Sequence, residues 1–164
     1  MKKNVSKKSR IKFPAYEPWI SNEDKKIVYE TLKQNMLTLG PKLEKFESDF
    51  CKYSKAKYAV AVSNCTAALH LSLMALGIGK GDEVIIPDLT FVADANAVLA
   101  CNAKPILTDI NKEDFFLSIS NIKKNITKKT KAIIPVHIYG QVCNIEEILD
   151  VAKDNNLKVI EDCA

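Results

Sequence analysis

The sequence predicts an α/β domain with a mostly parallel sheet that is flanked by helices. Short apolar runs rich in isoleucine and valine, at 84–87, 131–136 and 157–160, are typical of buried strands. Segments with the apolar spacing of helices lie between these runs. Because parallel strands need long crossover connections, which are usually helices, this alternation predicts a parallel sheet with helices on both of its faces.

The composition is that of an ordinary folded domain. Of the 164 residues, 47% are hydrophobic and 27% are charged. The apolar runs are far too short to span a bilayer, so no membrane partner is expected. The five cysteines are odd in number and lack any Cys-x-x-Cys spacing, which indicates neither a zinc site nor a disulfide framework. This cysteine pattern favours a reducing, cytoplasmic setting.

The amino-terminal residues 1–12 carry much of the basic excess behind the net charge of +4. Such a run is compatible with a nucleic-acid or membrane contact, but it is more often a solvated, frayed terminus. No apolar segment of a secretory signal follows it. We therefore expect a flexible basic tail over 1–12, a single folded domain over 13–164, and no nucleic-acid partner.

Two amphipathic helices are predicted ahead of the sheet. Ser21 is followed three positions later by an acidic residue, as in a capping box at the start of a helix. The sequence LGP at 39–41 ends that pattern. A second helix then shows an apolar face at helical spacing, formed by Leu43, Phe46 and Phe50.

The next segment, 58–62, is apolar and partly β-branched, which predicts a buried strand. A short polar turn leads from it into a predicted helix at 67–76. A helix that starts at a strand end directs unpaired N–H groups and its positive dipole end at one spot, and a hydroxyl there, Thr66, suits a phosphate. The alternative is that Ser63 and Thr66 merely cap the helix.

The remaining elements alternate between strand and helix. In chain order they are a strand at 84–87, a helix from Thr90 to about Leu99, a strand at 105–109, a short helix from Ser118, a strand at 131–136, a helix at 145–155 and a strand at 157–160.

Ligands of parallel α/β sheets bind beyond the carboxyl ends of the strands. Four segments follow predicted strands, namely 63–66, 88–91, 136–140 and 161–164. We expect these segments to meet at one edge of the sheet and to form the functional site there.

Three side chains of these segments match the three groups of pyridoxal 5′-phosphate (PLP) that a protein can bind: the phosphate, the aromatic ring and the ring nitrogen. Thr66 and its neighbouring N–H groups suit the phosphate, Phe91 offers a flat face for the ring, and Asp162 suits a protonated ring nitrogen. Each has a simpler interpretation, since Phe91 alone is typical of a core residue and Asp162 alone of a helix cap. His137 is predicted to be a satisfied side chain behind the site rather than a base. These residues alone support a phosphate- or nucleotide-binding α/β domain.

A series of motifs, in this order, resembles the amino-terminal half of the DegT/DnrJ/StrS-type nucleotide-sugar aminotransferases. The motifs are LGP at 39–41, SNCTAALHL at 63–71, GDEVIIP at 81–87, TFVA at 90–93, TKAIIPVHIYGQ at 130–141 and VIEDCA at 159–164. Within that family, 137–141 and 160–164 are most similar to the GDP-perosamine synthase branch. The resemblance covers nearly the whole chain beyond the basic tail.

The resemblance implies the large domain of a fold-type-I PLP-dependent transferase, in incomplete form, and a homodimer with sites at the subunit interface. It also implies roles for residues of the PLP site. Thr66 with the backbone of Cys65 and Ala67 would hold the phosphate. Phe91 and Ala164 would contact the two faces of the ring, and Asp162 would pair with its nitrogen. The family commonly has glycine where this chain has Cys65.

The family's Schiff-base lysine lies downstream of the Glu-Asp motif, and no lysine of this chain occupies that position. We therefore expect a truncated piece that is inactive alone, with no catalytic residue of its own. The resemblance implies transfer of an amino group, usually from glutamate, to a keto-sugar nucleotide such as GDP-4-keto-6-deoxymannose, for O-antigen or similar surface polysaccharides. The alternative is a non-catalytic, regulatory binder of the same fold. A small nucleotide-binding module is disfavoured because the Gly-x-Gly-x-x-Gly and Walker motifs are missing.

Overall fold

The computed structural model describes residues 17–164. The predicted tail at 1–12 and the start of the predicted domain at 13 lie outside these residues. The chain divides into two compact units, one that ends at Ala61 and one that comprises Val62–Ala164. The single domain over 13–164 stays a prediction, and each unit is described by itself.

The first unit contains the two predicted helices, α1 (Asn22–Leu32) and α2 (Pro41–Ser54). α1 begins with the predicted capping box, in which the Ser21 hydroxyl accepts from the N–H of the residue three positions later and that residue's carboxylate returns the bond. α2 begins at proline, whose fixed φ suits the first helical position. No residue of 17–61 is buried, so the apolar faces of both helices are exposed.

The predicted strand at 58–62 is wrong. These residues form no regular element, and Tyr58 and Val60 are 76% and 80% exposed. An apolar run becomes a strand only where another segment supplies hydrogen bonds to its backbone, and no such segment exists among residues 17–164. The Ala61 N–H instead donates to the Glu47 carboxylate at 2.8 Å.

The second unit contains a four-stranded sheet. Its strands are β1 (Glu83–Pro87), β2 (Lys104–Thr108), β3 (Thr130–Ile133) and β4 (Lys158–Val159), in the spatial order β2-β1-β3-β4. All three pairings are parallel. The predicted parallel sheet is therefore confirmed.

Four helices cover the sheet on its two faces. They are α3 (Cys65–Ala75), α4 (Ala93–Ala100), α5 (Ile119–Asn125) and α6 (Ile145–Asp154). Val84 and Ile86 of β1 belong to the same buried cluster as residues of α3 and α4, whereas Ile85 belongs to the cluster with α5 and α6. This is the period-two alternation of a strand that is buried on both faces. The α/β fold with helices on both faces is confirmed.

None of the helices within residues 17–164 has the length and apolar character needed to cross a membrane. The predicted helix at 90–99 begins later, at Ala93, and the predicted strand at 131–136 ends earlier, at Ile133. A short 3₁₀ turn at Ile138–Gly140 follows β3, so the chain bends away from the sheet just beyond the strand end.

Candidate functional site

The carboxyl edge of the sheet forms a cavity of about 600 Å³ within the second unit. All four segments that follow predicted strands contribute to its wall, including Thr66, Phe91, Tyr139, Asp162 and Ala164. Parallel strands end on the same side of a sheet, which is why segments so distant in sequence meet here. The predicted meeting of these four segments at one edge is confirmed, and their role as the functional site stays a prediction.

The start of α3 forms one side of this cavity. The side chain of Asn64 caps the helix by accepting from the Ala67 N–H at 2.9 Å. The cap is thus Asn64, and the alternative in which Ser63 and Thr66 cap the helix is wrong. Cys65 and Thr66 line the cavity, whereas Ala67 does not.

This cap limits what α3 offers to an anion. The Ala67 N–H is already bonded, whereas the N–H groups of Cys65 and Thr66 belong to the first turn and have no partner within the helix. Together with the Thr66 hydroxyl and the positive end of the helix dipole, these two groups suit a phosphate.

Asp162 also lines the cavity, in a rigid backbone setting. It forms a parallel bridge with Val136, its N–H donates to the Pro135 carbonyl at 2.9 Å, and its own carbonyl accepts from the His137 N–H at 3.0 Å. Its side chain is 5% exposed. The carboxylate accepts from the Ala164 N–H at 3.0 Å, which leaves it in a fixed orientation at the cavity wall.

The Cys65 thiol also donates to Asp162, with 3.4 Å between Sγ and Oδ1. Burial and the neighbouring Asp162 carboxylate raise the pKa of Cys65 to about 11. The thiol therefore stays protonated near neutrality and acts as a neutral hydrogen-bond donor. The residue that departs from the family's common glycine thus directs its side chain to the carboxylate of the site.

Asp94 of α4 is a residue of this edge that sequence reasoning missed. It is fully buried, and the Thr90 hydroxyl donates to its Oδ2 at 2.5 Å. Its Oδ1 has no hydrogen-bond partner among residues 17–164. Burial, together with the nearby Asp162 carboxylate and against the lowering effect of Thr90, raises the pKa of Asp94 to about 6. One signal was available: an acidic side chain stands three residues after Phe91 in a helix whose other residues, apart from Asn96, are apolar.

Phe91 is 74% exposed at the cavity, so the interpretation of Phe91 as a core residue is wrong. Tyr139 is 83% exposed in the 3₁₀ turn, where it adopts a left-handed φ of 56°. Two aromatic rings that line a cavity without being packed into the core are available to a planar ligand.

His137 is not among the residues that line the cavity. Its Nδ1 accepts from the Cys143 N–H at 3.1 Å, and its Nε2 lies 3.0 Å from the Glu161 carboxylate. Because Nδ1 accepts, the ring carries its proton on Nε2 and donates to Glu161. Both nitrogens are therefore engaged, as expected of a histidine that supports the site from behind.

The part of the chain that the structure describes contains no group of three or more His, Cys, Asp or Glu side chains arranged to hold a metal ion. What the edge does contain is a helix start, a buried carboxylate that lines the cavity and two exposed aromatic rings. The fold and the site thus define an α/β domain whose edge suits a flat, anionic ligand beyond its parallel strands.

Comparison of the sequence with known proteins assigns this domain to a family. The sequence model of the DegT/DnrJ/EryC1/StrS aminotransferase family matches residues 18–164. The chain belongs to this family.

Named relatives are similar over almost the whole chain. It is 46% identical to the GDP-perosamine synthase of Escherichia coli O157:H7, over 92% of this chain and 42% of that protein. It is 41% identical to the GDP-perosamine synthase of Vibrio cholerae, over 92% of this chain and 41% of that protein. The chain therefore spans about two fifths of the length of these curated relatives.

Solved structures show the same fold. NtdA from Bacillus subtilis, with its cofactor PMP bound, is 36% identical with a TM-score of 0.81, over 94% of this chain and 38% of that one. An aminotransferase from Psychrobacter cryohalolentis is 35% identical with a TM-score of 0.85, over 91% and 39% of the two chains. The fold implied by the sequence resemblance is thus confirmed.

Proposed function

We propose that the protein binds PLP at this edge and transfers an amino group from an amino acid, glutamate in keeping with the resemblance, to a keto-sugar nucleotide such as GDP-4-keto-6-deoxymannose. The observation that carries the proposal is the meeting of Thr66, Phe91 and Asp162 around one cavity. Membership of an aminotransferase family and 46% identity to a GDP-perosamine synthase support the reaction and the sugar.

The residues present fit PLP. The first turn of α3 offers N–H groups and a hydroxyl for a phosphate, and the cavity of about 600 Å³ has a buried carboxylate for a ring nitrogen. When bound, PLP acts as an electron sink that stabilises negative charge next to the transferred amino group. Thr66 and the N–H of Cys65 would hold the phosphate, and the Ala67 N–H would join them only if Asn64 released it.

The ring would lie between Phe91 and Ala164, which both line the cavity. Asp162 would hold a proton on the ring nitrogen through a charge-assisted hydrogen bond. Three contacts keep this carboxylate oriented before any ligand enters: the Val136 bridge, the Ala164 N–H and the Cys65 thiol. Such preorganisation lowers the cost of ordering the site when the ligand binds.

No lysine lines the cavity within the described part of the chain. Transamination needs an amine that binds PLP covalently and moves a proton. We therefore propose that the 164 residues alone have no transaminase activity. The same observation keeps a second function open, a non-catalytic binder or regulator of this fold. Coenzyme binding by the whole protein without turnover of glutamate and a keto-sugar nucleotide would favour that second function.

Asp162→Ala tests the assignment of the ring-nitrogen partner. In the whole protein, we expect this variant to lose about tenfold to a hundredfold in affinity for pyridoxamine 5′-phosphate, because it loses one charge-assisted hydrogen bond, and to lose most transaminase activity. Affinity is measured by calorimetry and folding by circular dichroism. Asp88→Ala is the matched control, because Asp88 is exposed at the same sheet edge and does not line the cavity. A variant at Asp162 with near-normal affinity and rate would refute the assignment.

Three broader features belong to the same proposal. We propose a cytoplasmic protein, supported by a cysteine pattern without disulfide spacing, and a homodimer, supported by the exposed apolar faces of α1 and α2. The product would serve surface polysaccharide synthesis such as O-antigen assembly. Light scattering on the whole protein tests the dimer, and a monomer at micromolar concentration would refute it.

A further inference from the structure

Asp94 and Asp162 are two buried carboxyl groups from elements far apart in sequence, and Asp162 lines the cavity. Asp94 is fully buried in α4, and Asp162 is 5% exposed just beyond β4. The Asp162 carboxylate lies close enough to Asp94 to raise the pKa of the Asp94 carboxyl. Two neighbouring buried carboxyl groups repel each other when both are ionised, so they do not both ionise without a compensating charge.

The hydrogen bonds around the pair leave one fully buried oxygen without a partner. Oδ2 of Asp94 accepts from Thr90, and Oδ1 of Asp162 accepts from Cys65 and Ala164. Oδ1 of Asp94 is completely buried and has no donor among residues 17–164. An ionised buried oxygen without a donor is costly, whereas a proton on that oxygen turns it into a donor for the neighbouring carboxylate.

We propose that Asp94 and Asp162 share one proton, held on Oδ1 of Asp94, and that losing this proton creates a doubly negative pair that binds the cationic pyridine ring more tightly. Asp94 is then a positioning residue that acts through Asp162. The ring-binding half of this proposal rests on the proposed function, but the shared proton does not.

The charged groups around the pair are few. Within the described residues, Asp162 is the charged side chain that raises the pKa of Asp94. α3 contributes the Cys65 thiol, which stays neutral because its pKa is raised to about 11, and Cys163 next to Asp162 is a thiol whose pKa is also raised. α4 contains no other titratable side chain. Asp94 therefore titrates mainly against Asp162.

The sign of the effect on stability follows from the pKa of Asp94, which is raised from 3.8 to about 6. Between these two values the folded protein binds more protons than the unfolded chain, so stability falls as pH rises through this window. Above the window the cost of ionised Asp94 is fully present. A bound cation offsets this cost and thereby lowers the pKa of Asp94. Affinity for the cation then rises with pH, by about tenfold for each unit by which the bound cation lowers that pKa.

The first experiment measures the proton itself in the coenzyme-free whole protein. Infrared difference spectra between pH 4.5 and pH 8 are expected to show the loss of a protonated carboxyl band with a midpoint near pH 6, in agreement with the raised pKa. Asp94→Asn is expected to lack this band. Asn keeps the shape of Asp94, accepts from Thr90 and offers an amide donor to Asp162, so it mimics the protonated state permanently.

Thr90 variants provide a matched pair that leaves both carboxyl groups in place. The Thr90 hydroxyl lowers the pKa of Asp94, so Thr90→Val is expected to move the midpoint above about 6, whereas Thr90→Ser keeps the hydroxyl and the midpoint. An effect on Asp94 titration distinguishes this electrostatic role from a merely structural one. A midpoint that is the same in the Val and Ser variants contradicts the proposal.

The second experiment measures affinity for pyridoxamine 5′-phosphate at pH 5 and pH 8. Binding of this ligand does not require a covalent bond to a lysine. The ratio of dissociation constants, Asp94→Asn over wild type, is expected to rise about tenfold or more between these pH values. The phosphate titration is common to both proteins and cancels in this ratio.

The possible results separate the two proposals. A wild-type carboxyl that titrates near 3.8, or a flat ratio of affinities, overturns the inference about Asp94. If neither protein binds pyridoxamine 5′-phosphate at any pH, the proposed function and the ring-binding half fail. The infrared midpoint then still decides whether the shared proton exists.

Discussion

Helices α2 and α6 have the same kind of amphipathic sequence and opposite surroundings. In α6, Ile148 and Val151 are 1% and 5% exposed against the sheet cluster of β1 and β3. In α2, Phe46 and Phe50 are 58% and 50% exposed, although they repeat at helical spacing. An apolar stripe therefore predicts a helix and the helix face that needs burial, but it does not predict which surface covers that face.

The largest expected difference between the two helices concerns the core. We expect Ile148→Ala to lower the free energy of unfolding by about 2–5 kcal/mol, because it leaves a cavity between α6 and the sheet. Leu149→Ala is the control on the same helix. Leu149 is 47% exposed, so its loss should cost less than about 1 kcal/mol. Urea denaturation of the whole protein measures both, and equal costs would contradict the burial of this face.

The sequence was sufficient for features that depend on local pattern. Alternation of apolar runs and helical segments predicted the parallel sheet, and the common direction of its strands predicted that Phe91 and Asp162 would share one edge. Thr66 also lies at this edge, although the strand predicted before it does not form. The capping box at Ser21 was equally local. These predictions needed no knowledge of which surfaces meet.

What the sequence did not reveal depends on contacts between distant segments. The apolar run at 58–62 lacks a strand partner within the described residues, and a partner is not encoded in the run itself. Asn64, Ser63 and Thr66 are all able to cap a helix, and backbone geometry selects Asn64. Asp94 is unremarkable in sequence because its raised pKa arises from burial and from Asp162, 68 positions away by their numbers.

A smaller effect is expected at the helix starts, where α3 and α2 also differ. α3 is capped by the Asn64 side chain, whereas α2 begins at Gly40 with no side-chain cap. Asn64→Ala should therefore destabilise the protein by about 1 kcal/mol. It should retain affinity for pyridoxamine 5′-phosphate, because the Ala67 N–H becomes free to bind phosphate. Loss of this affinity without unfolding would show that Asn64 itself contacts the ligand.

The smallest effect is expected on the exposed face of α2. Phe50 is half-exposed and contacts Phe46 with their ring centroids 6.1 Å apart, so Phe50→Ala removes little buried area. Its expected cost is less than about 1 kcal/mol if this face meets only water. Unfolding of the whole protein at two concentrations a hundredfold apart measures the cost in the monomer and in any assembly. A cost comparable to that of Ile148→Ala, present only at the higher concentration, would show that a second copy covers this face. The two helices would then differ in which chain buries them rather than in whether they are buried.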